Sequence, residues 1–503
     1  MAWLRTTAIA ALLLAASAGT GIAETTLRIG LAEDPDILDP TLARTFVGRV
    51  VFASLCDKLF DITPEVKIVP QLASAYKWSD DGKTLTITLR QGVVFHDGEP
   101  MNAAAVKYSL ERHLTFPGST RKSEISSIQS IDVVDDHTVK LNLSAPLSPL
   151  LAALADRAGM IVSPKAAEAE KDKFGNHPVC AGPYKFVERV AQDHITVEKF
   201  DKYWDKDKIH IDKIVFQPIP DNSVRVANLR SGGLDFIERV APTDLAQIRG
   251  DGNLAVASIG EIGYQGITIN TDNGPMSKNP LGQDPRIREA FSLSIDRQAL
   301  NQVVFNGEYI PGNQWVPPGS PYYDKSYPVP KRDIAKAKAL LKEAGVEHPS
   351  FTLMFPNNTE PQQVNQVIQS MAAEAGFDIK LQATEFASSL KLSTAGQMQA
   401  YQIGWSGRVD PDGNLYSFVA CGAPLNDGHY CNQTVDAELK AARSVADPAE
   451  RMKHYDKAAD ILLKDLPIIY LYHRKWIYAF NKKVTGFQPY PDGLIRPQGL
   501  VMK

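Results

Sequence analysis

The chain has 503 residues, of which 44% are hydrophobic and 22% are charged, and its formal net charge is −4. This length exceeds what one hydrophobic core supports, so two or three domains are expected, and the composition is that of an ordinary globular protein. The small negative charge argues against nucleic acid or an anionic membrane as a partner.

The first 23 residues have the pattern of a secretory signal peptide. Arg5 supplies a positive charge, Ala8–Ala18 is apolar, and Gly21–Ala23 offers small residues for cleavage. The apolar stretch is too short to span a bilayer, and no later segment is long and apolar enough to do so. The sequence therefore predicts an exported, soluble protein that begins near Glu24.

The first half of the mature chain is rich in predicted strands. Leu27–Leu31 is a strand, and the apolar spacing in Arg44–Phe60 predicts an amphipathic helix. Apolar and polar residues alternate in Thr84–Arg90 and again in Val139–Leu143, which places one face of each strand on a core. Asn102 is the expected N-cap of a helix that follows the first of these strands.

From Tyr264 onward the pattern changes to alternating strands and helices. Asp284 and Pro285 begin a helix as N-cap and first helical residue. Further helices are predicted at 333–344, 364–375, 434–444 and 447–463. Pro467–Tyr472 is an apolar run typical of a buried strand. Such alternation with short connections predicts α/β layering.

Two segments are candidates for connections between the halves, namely Ile259–Gln265 and His473–Ile477. If the chain after them returns to the first half, two lobes are joined by two crossing strands. The expected boundaries are residues 24–262 for lobe I, with an inserted subdomain at about 66–175, residues 263–474 for lobe II, and residues 475–503 for the return to lobe I.

The segment Gln402–Cys431 concentrates an aromatic residue, a cation, two acids and two cysteines. Its glycines and Pro411 predict a loop directly after a short strand. Loops that gather such groups are candidate sites. The alternative is a solvated surface loop that is held by a disulfide.

Four cysteines fit an oxidising compartment, where an even number indicates disulfides. Cys421 and Cys431 close a short loop and are predicted to pair, and Cys56 and Cys180 then pair by elimination. The cysteine spacing fits no zinc motif, and the ten histidines are scattered. Neither a P-loop nor a dinucleotide fingerprint occurs, so the sequence predicts no metal and no cofactor.

Several motifs resemble those of a known family. Residues 69–112 are similar to the signature block of the extracytoplasmic solute-binding proteins of peptide-type ABC importers, bacterial family 5, which includes dipeptide-, oligopeptide- and nickel-binding members. Ala181–Phe186 resembles the family's Gly-Pro-Tyr strand entry, and Asp284–Gly307 resembles its second-lobe helix. Thr434–Asp436 is similar to the family's asparagine–x–Val–Asp segment.

The resemblance implies an α/β, two-lobed periplasmic-binding-protein fold (a "Venus flytrap", class II-like) with an extra β-rich subdomain in lobe I. It implies a monomeric periplasmic protein, not an enzyme, that encloses a small solute and delivers it to a membrane permease with its ATPases. A short peptide is the first expectation for the solute, and a non-peptide, anionic organic solute is the alternative, since similar proteins bind nickel complexes, sugars and opines.

Two other classes of protein are alternatives to this interpretation. One is a secreted α/β hydrolase, but Gly404–Arg408 departs from the Gly-x-Ser-x-Gly nucleophile elbow at its last position. The other is a chaperone-like binder of unfolded chains, which saturable binding of a small solute would argue against.

Arg408 is a position at which this chain differs from the family pattern. In peptide-binding relatives an aspartate follows the segment that corresponds to Gly404–Gly407 and captures the α-amino group of the peptide. Here either Asp410 or Asp412 binds the amine, or the solute presents an anion to the planar guanidinium of Arg408. A third hypothesis makes Arg408 a salt-bridge residue between the lobes.

Further ligand-binding candidates are aromatic or lie at the expected connections. Trp405 is a candidate wall of the pocket, because an aromatic face offers large contact area; core packing beneath the loop is the alternative. Tyr264 and His473 either face the cleft as the lobes close or pack structurally. Phe46, at the entry to the first helix, is an additional candidate.

Overall fold

The computed structural model of the chain describes residues 24–503, so the predicted signal peptide at residues 1–23 lies outside the described residues. The strands, in chain order, are β1 Thr26–Leu31, β2 Phe60–Ile62, β3 Ile68–Pro70, β4 Ala73–Trp78, β5 Thr84–Leu89, β6 Ile128–Asp135, β7 Thr138–Leu143, β8 Tyr184–Val190, β9 His194–Lys199, β10 Lys213–Pro218, β11 Phe236–Ile237, β12 Leu254–Gly260, β13 Tyr264–Ile269, β14 Ile310–Pro311, β15 Ser350–Pro356, β16 Asp378–Thr384, β17 Ala400–Trp405, β18 Ile468–His473, β19 Lys475–Asn481, β20 Val484–Thr485 and β21 Val501–Met502.

The α-helices are α1 Phe46–Leu55, α2 Ala103–Thr115, α3 Leu150–Leu154, α4 Pro164–Glu170, α5 Asn222–Ser231, α6 Leu245–Arg249, α7 Pro280–Gln283, α8 Pro285–Ser294, α9 Arg297–Phe305, α10 Ile334–Glu343, α11 Thr359–Ala373, α12 Phe386–Thr394, α13 Asp412–Val419, α14 Gln433–Ser444 and α15 Pro448–Asp465. None of the helices within residues 24–503 has the length and apolar character needed to cross a membrane.

Two mixed sheets form the centres of two lobes. The first lobe contains a seven-stranded sheet in the order β12-β19-β11-β1-β10-β9-β8. The second lobe contains a six-stranded sheet in the order β14-β18-β13-β17-β15-β16. In the first sheet β1 runs parallel to β10 and β11, and β19 brings the C-terminal part of the chain back between β11 and β12.

A separate four-stranded antiparallel sheet, in the order β4-β5-β7-β6, forms a β-rich subdomain with α2. The predicted alternation in β5 is present, because Leu85, Ile87 and Leu89 are buried while the intervening threonines are more exposed. These leucine and isoleucine side chains pack with Val106 and Leu110 of α2 in a core of their own.

The chain crosses between the two sheets twice. Glu261–Gly263 connect β12 to β13, and Arg474 connects β18 to β19. The two crossings contact each other, since the backbone N–H of Arg474 donates to the Glu261 carboxylate at 2.6 Å. Burial raises the pKa of the Glu261 carboxyl to about 7.

Two predicted elements differ from the structure. The helix expected over Arg44–Phe60 covers only Phe46–Leu55, because the chain turns at Cys56, whose disulfide and the close approach of Gly182 to the backbone of Leu55 fix its path. The predicted loop Gln402–Cys431 contains helix α13. Pro411 at the N-cap already has helical backbone angles, and Asp412 in the first turn favours a helix start. Leu415 and Val419 are buried on one face.

Both predicted disulfides are confirmed. Cys421–Cys431 closes the segment after α13, with a sequence separation of 10. Cys56–Cys180 joins residues separated by 124 positions and fixes the end of α1 next to the entry to β8. Because the second bridge closes a much longer loop, it removes more chain entropy from the unfolded state.

Candidate functional site

A cavity of about 370 Å³ lies between the two lobes. Its wall combines first-lobe residues such as Phe46 and Arg239 with second-lobe residues such as Tyr264 and Trp405. A cleft that both lobes line is the expected place for a solute in a two-lobed protein, because movement of one lobe against the other opens and closes it.

Aromatic side chains form a large part of this wall. They are Phe46, Tyr264, Phe305, Phe386, Tyr401, Trp405, Phe418 and Trp476. Phe46 stacks on Trp476 with ring centroids 4.4 Å apart and an interplanar angle of 12°. Tyr264 meets Tyr470 and Phe418 edge to face. Such walls provide contact area for apolar parts of a solute with little discrimination among them.

Four arginines and four acids also line the cavity. They are Arg44, Arg225, Arg239 and Arg474, and Glu33, Asp244, Glu360 and Asp427. Three of the arginines form salt bridges with acids of the lining, namely Arg239 with Glu33 at 2.7 Å, Arg474 with Glu360 at 2.8 Å and Arg44 with Asp427 at 3.1 Å. The lining therefore offers both signs of charge at a neutral formal balance.

Arg225 differs from the other cavity arginines. Its guanidinium donates to the carbonyl oxygens of Ile219 and Pro220 and to the amide oxygen of Asn222, and its Nε–H has no acceptor within residues 24–503. No carboxylate of the described chain forms a salt bridge with it, and its burial lowers the pKa of the guanidinium to about 10. Helix α5, which Asp221 caps, holds this cation beside the cavity.

Polar contacts join the lobes across the cavity. Arg44 of the first lobe contacts Asp427 of the second at 3.1 Å. The Asn358 side-chain amide, before α11, donates to the carbonyl oxygen of Ala32 at 2.7 Å. These contacts exist only where the lobes lie close together, so the structure represents a closed arrangement.

The predicted site residues divide into two groups. Phe46, Tyr264 and Trp405 line the cavity, whereas Arg408, Asp410 and His473 are absent from its lining. The His473 ring is buried, and its Nδ1–H donates to the carbonyl oxygen of Gly263 at 2.6 Å. Burial lowers the pKa of His473 to about 4, which keeps the ring neutral between the two crossing segments.

Arg408 and Asp410 have protein partners. The Arg408 Nε contacts the Asp156 carboxylate of the first lobe, which is the geometry of the interlobe salt-bridge hypothesis. Its guanidinium carbon also lies 4.1 Å from the centre of the Trp405 ring. Asp410 accepts two hydrogen bonds from Arg451, at 2.8 and 2.7 Å. Salt bridges thus connect this loop to Asp156 of the first lobe and to Arg451 of the second.

The sequence did not predict the charged residues that line the cavity. Glu33 and Arg239 are separated by 206 positions, so no local pattern connects them. Arg474 lies within the predicted connection His473–Ile477, next to the histidine that was chosen instead. A charged residue at a connection between lobes is a signal that would have identified Arg474 as a candidate.

The family model for bacterial extracellular solute-binding proteins, family 5 (middle) matches residues 67–426 of this chain. The chain belongs to this family. Family 5 proteins are substrate-binding transport proteins of ABC importers that bind peptides, glutathione or other solutes and work with permease and ATPase partners. This family 5 protein is therefore the substrate-binding component of such an importer, as its sequence predicted.

Named relatives agree with this assignment. The glutathione-binding protein GsiB of Salmonella typhi is 33% identical over 468 residues, which cover 90% of both chains. The structure of the PBP AgaA of A. tumefaciens R10 in complex with agropinic acid is 32% identical with a TM-score of 0.86, and the match covers 95% of this chain and 99% of that one.

A further structure is that of the periplasmic binding protein DppA of Helicobacter pylori in complex with the peptide STSA. It is 26% identical, has a TM-score of 0.87, and the match covers 95% of this chain and 98% of that one. The predicted two-lobed fold of the family 5 protein is confirmed by these similarities.

Proposed function

We propose that this family 5 protein works in the periplasm as a monomer and captures a small solute derived from amino acids, in the first place a short peptide. It delivers the solute to the permease and ATPase subunits of its importer. The observation that carries the proposal is the interlobe cavity, in which aromatic walls occur together with equal numbers of arginines and acids.

The size of the cavity favours a small solute. Its volume of about 370 Å³ lies at the lower end of the range for small-molecule sites, which is roughly 300–1,000 Å³. A long extended peptide would exceed this space. Compounds with one carboxylate and one ammonium match a lining that carries both signs of charge, because each solute charge then finds a partner.

Relatives support the same chemical class. GsiB is named for glutathione, and the DppA structure contains the peptide STSA. Both compounds are peptides with charged ends. Closure would follow from the contacts that a solute makes with both lobes, since a ligand shifts an equilibrium only by its differential affinity for the two states.

A non-peptide anionic solute is the second candidate, and Arg225 favours it. No carboxylate of the described chain forms a salt bridge with this cavity arginine, so a carboxylate of the solute would supply a direct ionic partner. The AgaA structure contains agropinic acid. An anionic solute would need no amine-binding acid.

Mass spectrometry of the solute released from freshly purified, denatured protein tests the proposal. Recovery of short peptides or glutathione supports the first candidate, and recovery of a single non-peptide acid supports the second. Calorimetric titration with the recovered compound should then saturate at one site per chain. Recovery of a neutral solute such as a sugar would contradict both candidates.

A variant tests the place of binding. Arg225→Gln should weaken binding of the recovered compound by roughly tenfold or more, because a hydrogen bond to a charged group contributes about 1.5–3 kcal/mol. Arg249→Gln, which changes an exposed arginine of α6, is the matched control. Equal affinities for the two variants would place the solute elsewhere.

A further inference from the structure

Behind one wall of the cavity lies a buried group of charges that we call the Asp156 cluster. Its members are Arg49, Arg121, Arg157 and Arg408 with the acids Glu124 and Asp156. The four arginines are between 0% and 8% exposed. Arg49 contacts one oxygen of Asp156 at 3.0 Å, and Arg408 contacts the other.

The cluster carries more positive than negative charge. Glu124 is held by Arg121 at 2.6 Å, so Asp156 alone faces the other three arginines. Asp492 lies nearby, but Arg496 neutralises it at 2.9 Å. Guanidinium groups keep their proton at neutral pH, and a buried surplus of charge is costly unless an anion compensates it.

Within residues 24–503, several donors in the cluster have no acceptor. They are Nη2 of Arg408 and both Nε and Nη2 of Arg157, all buried. Burial and the neighbouring Arg121 together hold the pKa of the Arg157 guanidinium well below its usual range. Geometry and charge thus agree that the described chain leaves this region electropositive.

Ser406 and Trp405 connect the cluster to the cavity, since both line it. Arg49 donates to the Ser406 Oγ at 3.0 Å, and the Ser406 hydroxyl donates to no acceptor within residues 24–503. The Arg408 guanidinium stacks on Trp405, whose indole N–H is buried and has no acceptor in the same part of the chain. The Ser406 hydroxyl is therefore an unused donor at the wall, in front of surplus positive charge.

We propose that the Trp405–Ser406 end of the cavity is a subsite for a carboxylate of the solute, bound by the Ser406 hydroxyl. Arg49 and Arg408 are positioning residues that make this end of the cavity electropositive. The inference rests on the proposed function and deepens it. It reverses the expectation from peptide-binding relatives, in which an acid at position 408 would bind an amine.

The anion subsite also links the lobes. Arg49 and Asp156 belong to the first lobe, whereas Trp405 is the last residue of β17 of the second, and Ser406 and Arg408 follow it. A carboxylate at Ser406 gains the field of the first-lobe arginines only when the lobes are closed. Its binding therefore favours the closed state over the open one.

Calorimetric titrations with five probes test the subsite on the full mature chain. The probes are glutathione, glutathione amidated at both of its carboxyl groups, trialanine, trialanine amide and N-acetyltrialanine. For the wild type, each acid should bind roughly tenfold to a hundredfold more tightly than its amide, because the amide removes the charge that the subsite compensates. N-acetylation of trialanine should have a smaller effect.

Variants then assign the selectivity to named residues. Ser406→Ala should weaken binding of the acids about tenfold and change binding of the amides less than twofold. Arg408→Gln should reduce the same acid-to-amide ratio, and Asp156→Asn should increase it, because one more positive charge remains. Ser231→Ala, an exposed serine of α5, is the matched control.

The outcomes separate the inference from the proposed function. Equal losses for acids and amides in Ser406→Ala, or a wild type that binds both equally, would overturn the subsite but leave solute capture intact. Failure of every probe to bind would contradict the proposed function itself. Because Asp156→Asn and Arg408→Gln change buried charges, their folding is checked by circular dichroism, and Ser406→Ala carries the test if either is unfolded.

Discussion

The segment from Trp405 to Pro411 takes part in two ionic sites that differ in their balance of charge. At one site Arg408 and Arg49 share the single carboxylate of Asp156. At the other, Asp410 and Arg451 meet one to one. Both sites are buried or nearly so, and both are built from arginine and aspartate, so residue type alone does not distinguish them.

The Arg451 site is complete. Both oxygens of Asp410 accept a hydrogen bond from the guanidinium, whose Nε–H donates to the carbonyl oxygen of Ala442 at 3.1 Å. The remaining donors reach the hydroxyls of Tyr322 and Tyr455. Burial opposes the charge, yet the hydrogen bonds and the charge of Asp410 raise the pKa of the Arg451 guanidinium above its usual range.

The Asp156 cluster is incomplete by the same criteria. Burial lowers the pKa of the Arg408 guanidinium to about 9, and the neighbouring Arg49 and Arg121 act in the same direction against Asp156. Unused donors and surplus charge occur together there, beside the cavity. The comparison indicates that a neutral ion pair with all its hydrogen bonds formed stabilises the fold. A buried surplus of positive charge instead indicates a region that an anion of the solute would complete.

Replacing each arginine by methionine should expose this difference most strongly. Arg451→Met should lower the free energy of unfolding by about 3–5 kcal/mol, because it leaves Asp410 without its partner. Arg408→Met should cost less than about 2 kcal/mol, since it also removes repulsion from the other arginines. Denaturant unfolding followed by tryptophan fluorescence measures both values.

The double variant Asp410→Asn/Arg451→Met is the control for this prediction. It removes both charges, so it should recover most of the stability that Arg451→Met loses. Equal losses for the two single methionine variants would show that the two sites have the same charge balance after all.

Two acids near these sites have pKa values that are shifted in opposite directions. Burial raises the pKa of Asp412 to about 6 despite Arg443 at 3.2 Å, whereas Arg408 and Arg49 overcome burial and hold the pKa of Asp156 well below its usual range. Because the Asp412 pKa is higher in the folded state than its ordinary value of 3.8, ionisation of Asp412 destabilises the fold.

The free energy of unfolding should therefore contain a contribution from Asp412 that falls by about 3 kcal/mol as the pH rises from about 4 to above 6. Asp412→Asn should remove this contribution, so the difference from wild type changes with pH in that window and levels off above it. Asp272→Asn, an exposed acid, should show no such window. A pH-independent difference for Asp412→Asn would contradict the assignment.

Local patterns predicted the elements that local forces determine. The alternation in Thr84–Leu89 and the apolar run at Ile468–His473 both form strands, as expected. Helix α13 was missed because Gly413 and Pro411 usually interrupt helices, although proline is compatible with a helix start. The sequence therefore supports the fold better at regular elements than in the segment between Trp405 and Cys431.

The site was less predictable than the fold, because tertiary structure assembles it. Trp405 could be chosen from its loop, but the significance of Arg408 depends on Asp156, which is 252 positions away. The same holds for Arg49, whose contact with Ser406 spans 357 positions. A single sequence shows which charges exist, and only the folded chain shows which of them remain uncompensated.

The Cys421–Cys431 disulfide offers the smallest of these tests. It follows α13, and the backbone N–H of Cys421 donates to Asp436 of α14, the helix that packs on α15, where Arg451 lies. The Cys421→Ser/Cys431→Ser variant should lower the free energy of unfolding by about 2–3 kcal/mol, since the bridge closes a short loop.

Combined with each methionine variant in a double-mutant cycle, the disulfide variant should couple to Arg451→Met more strongly than to Arg408→Met. Stronger coupling to Arg408→Met would mean that the disulfide supports the Asp156 cluster instead, and the separation of the two ionic sites would fail.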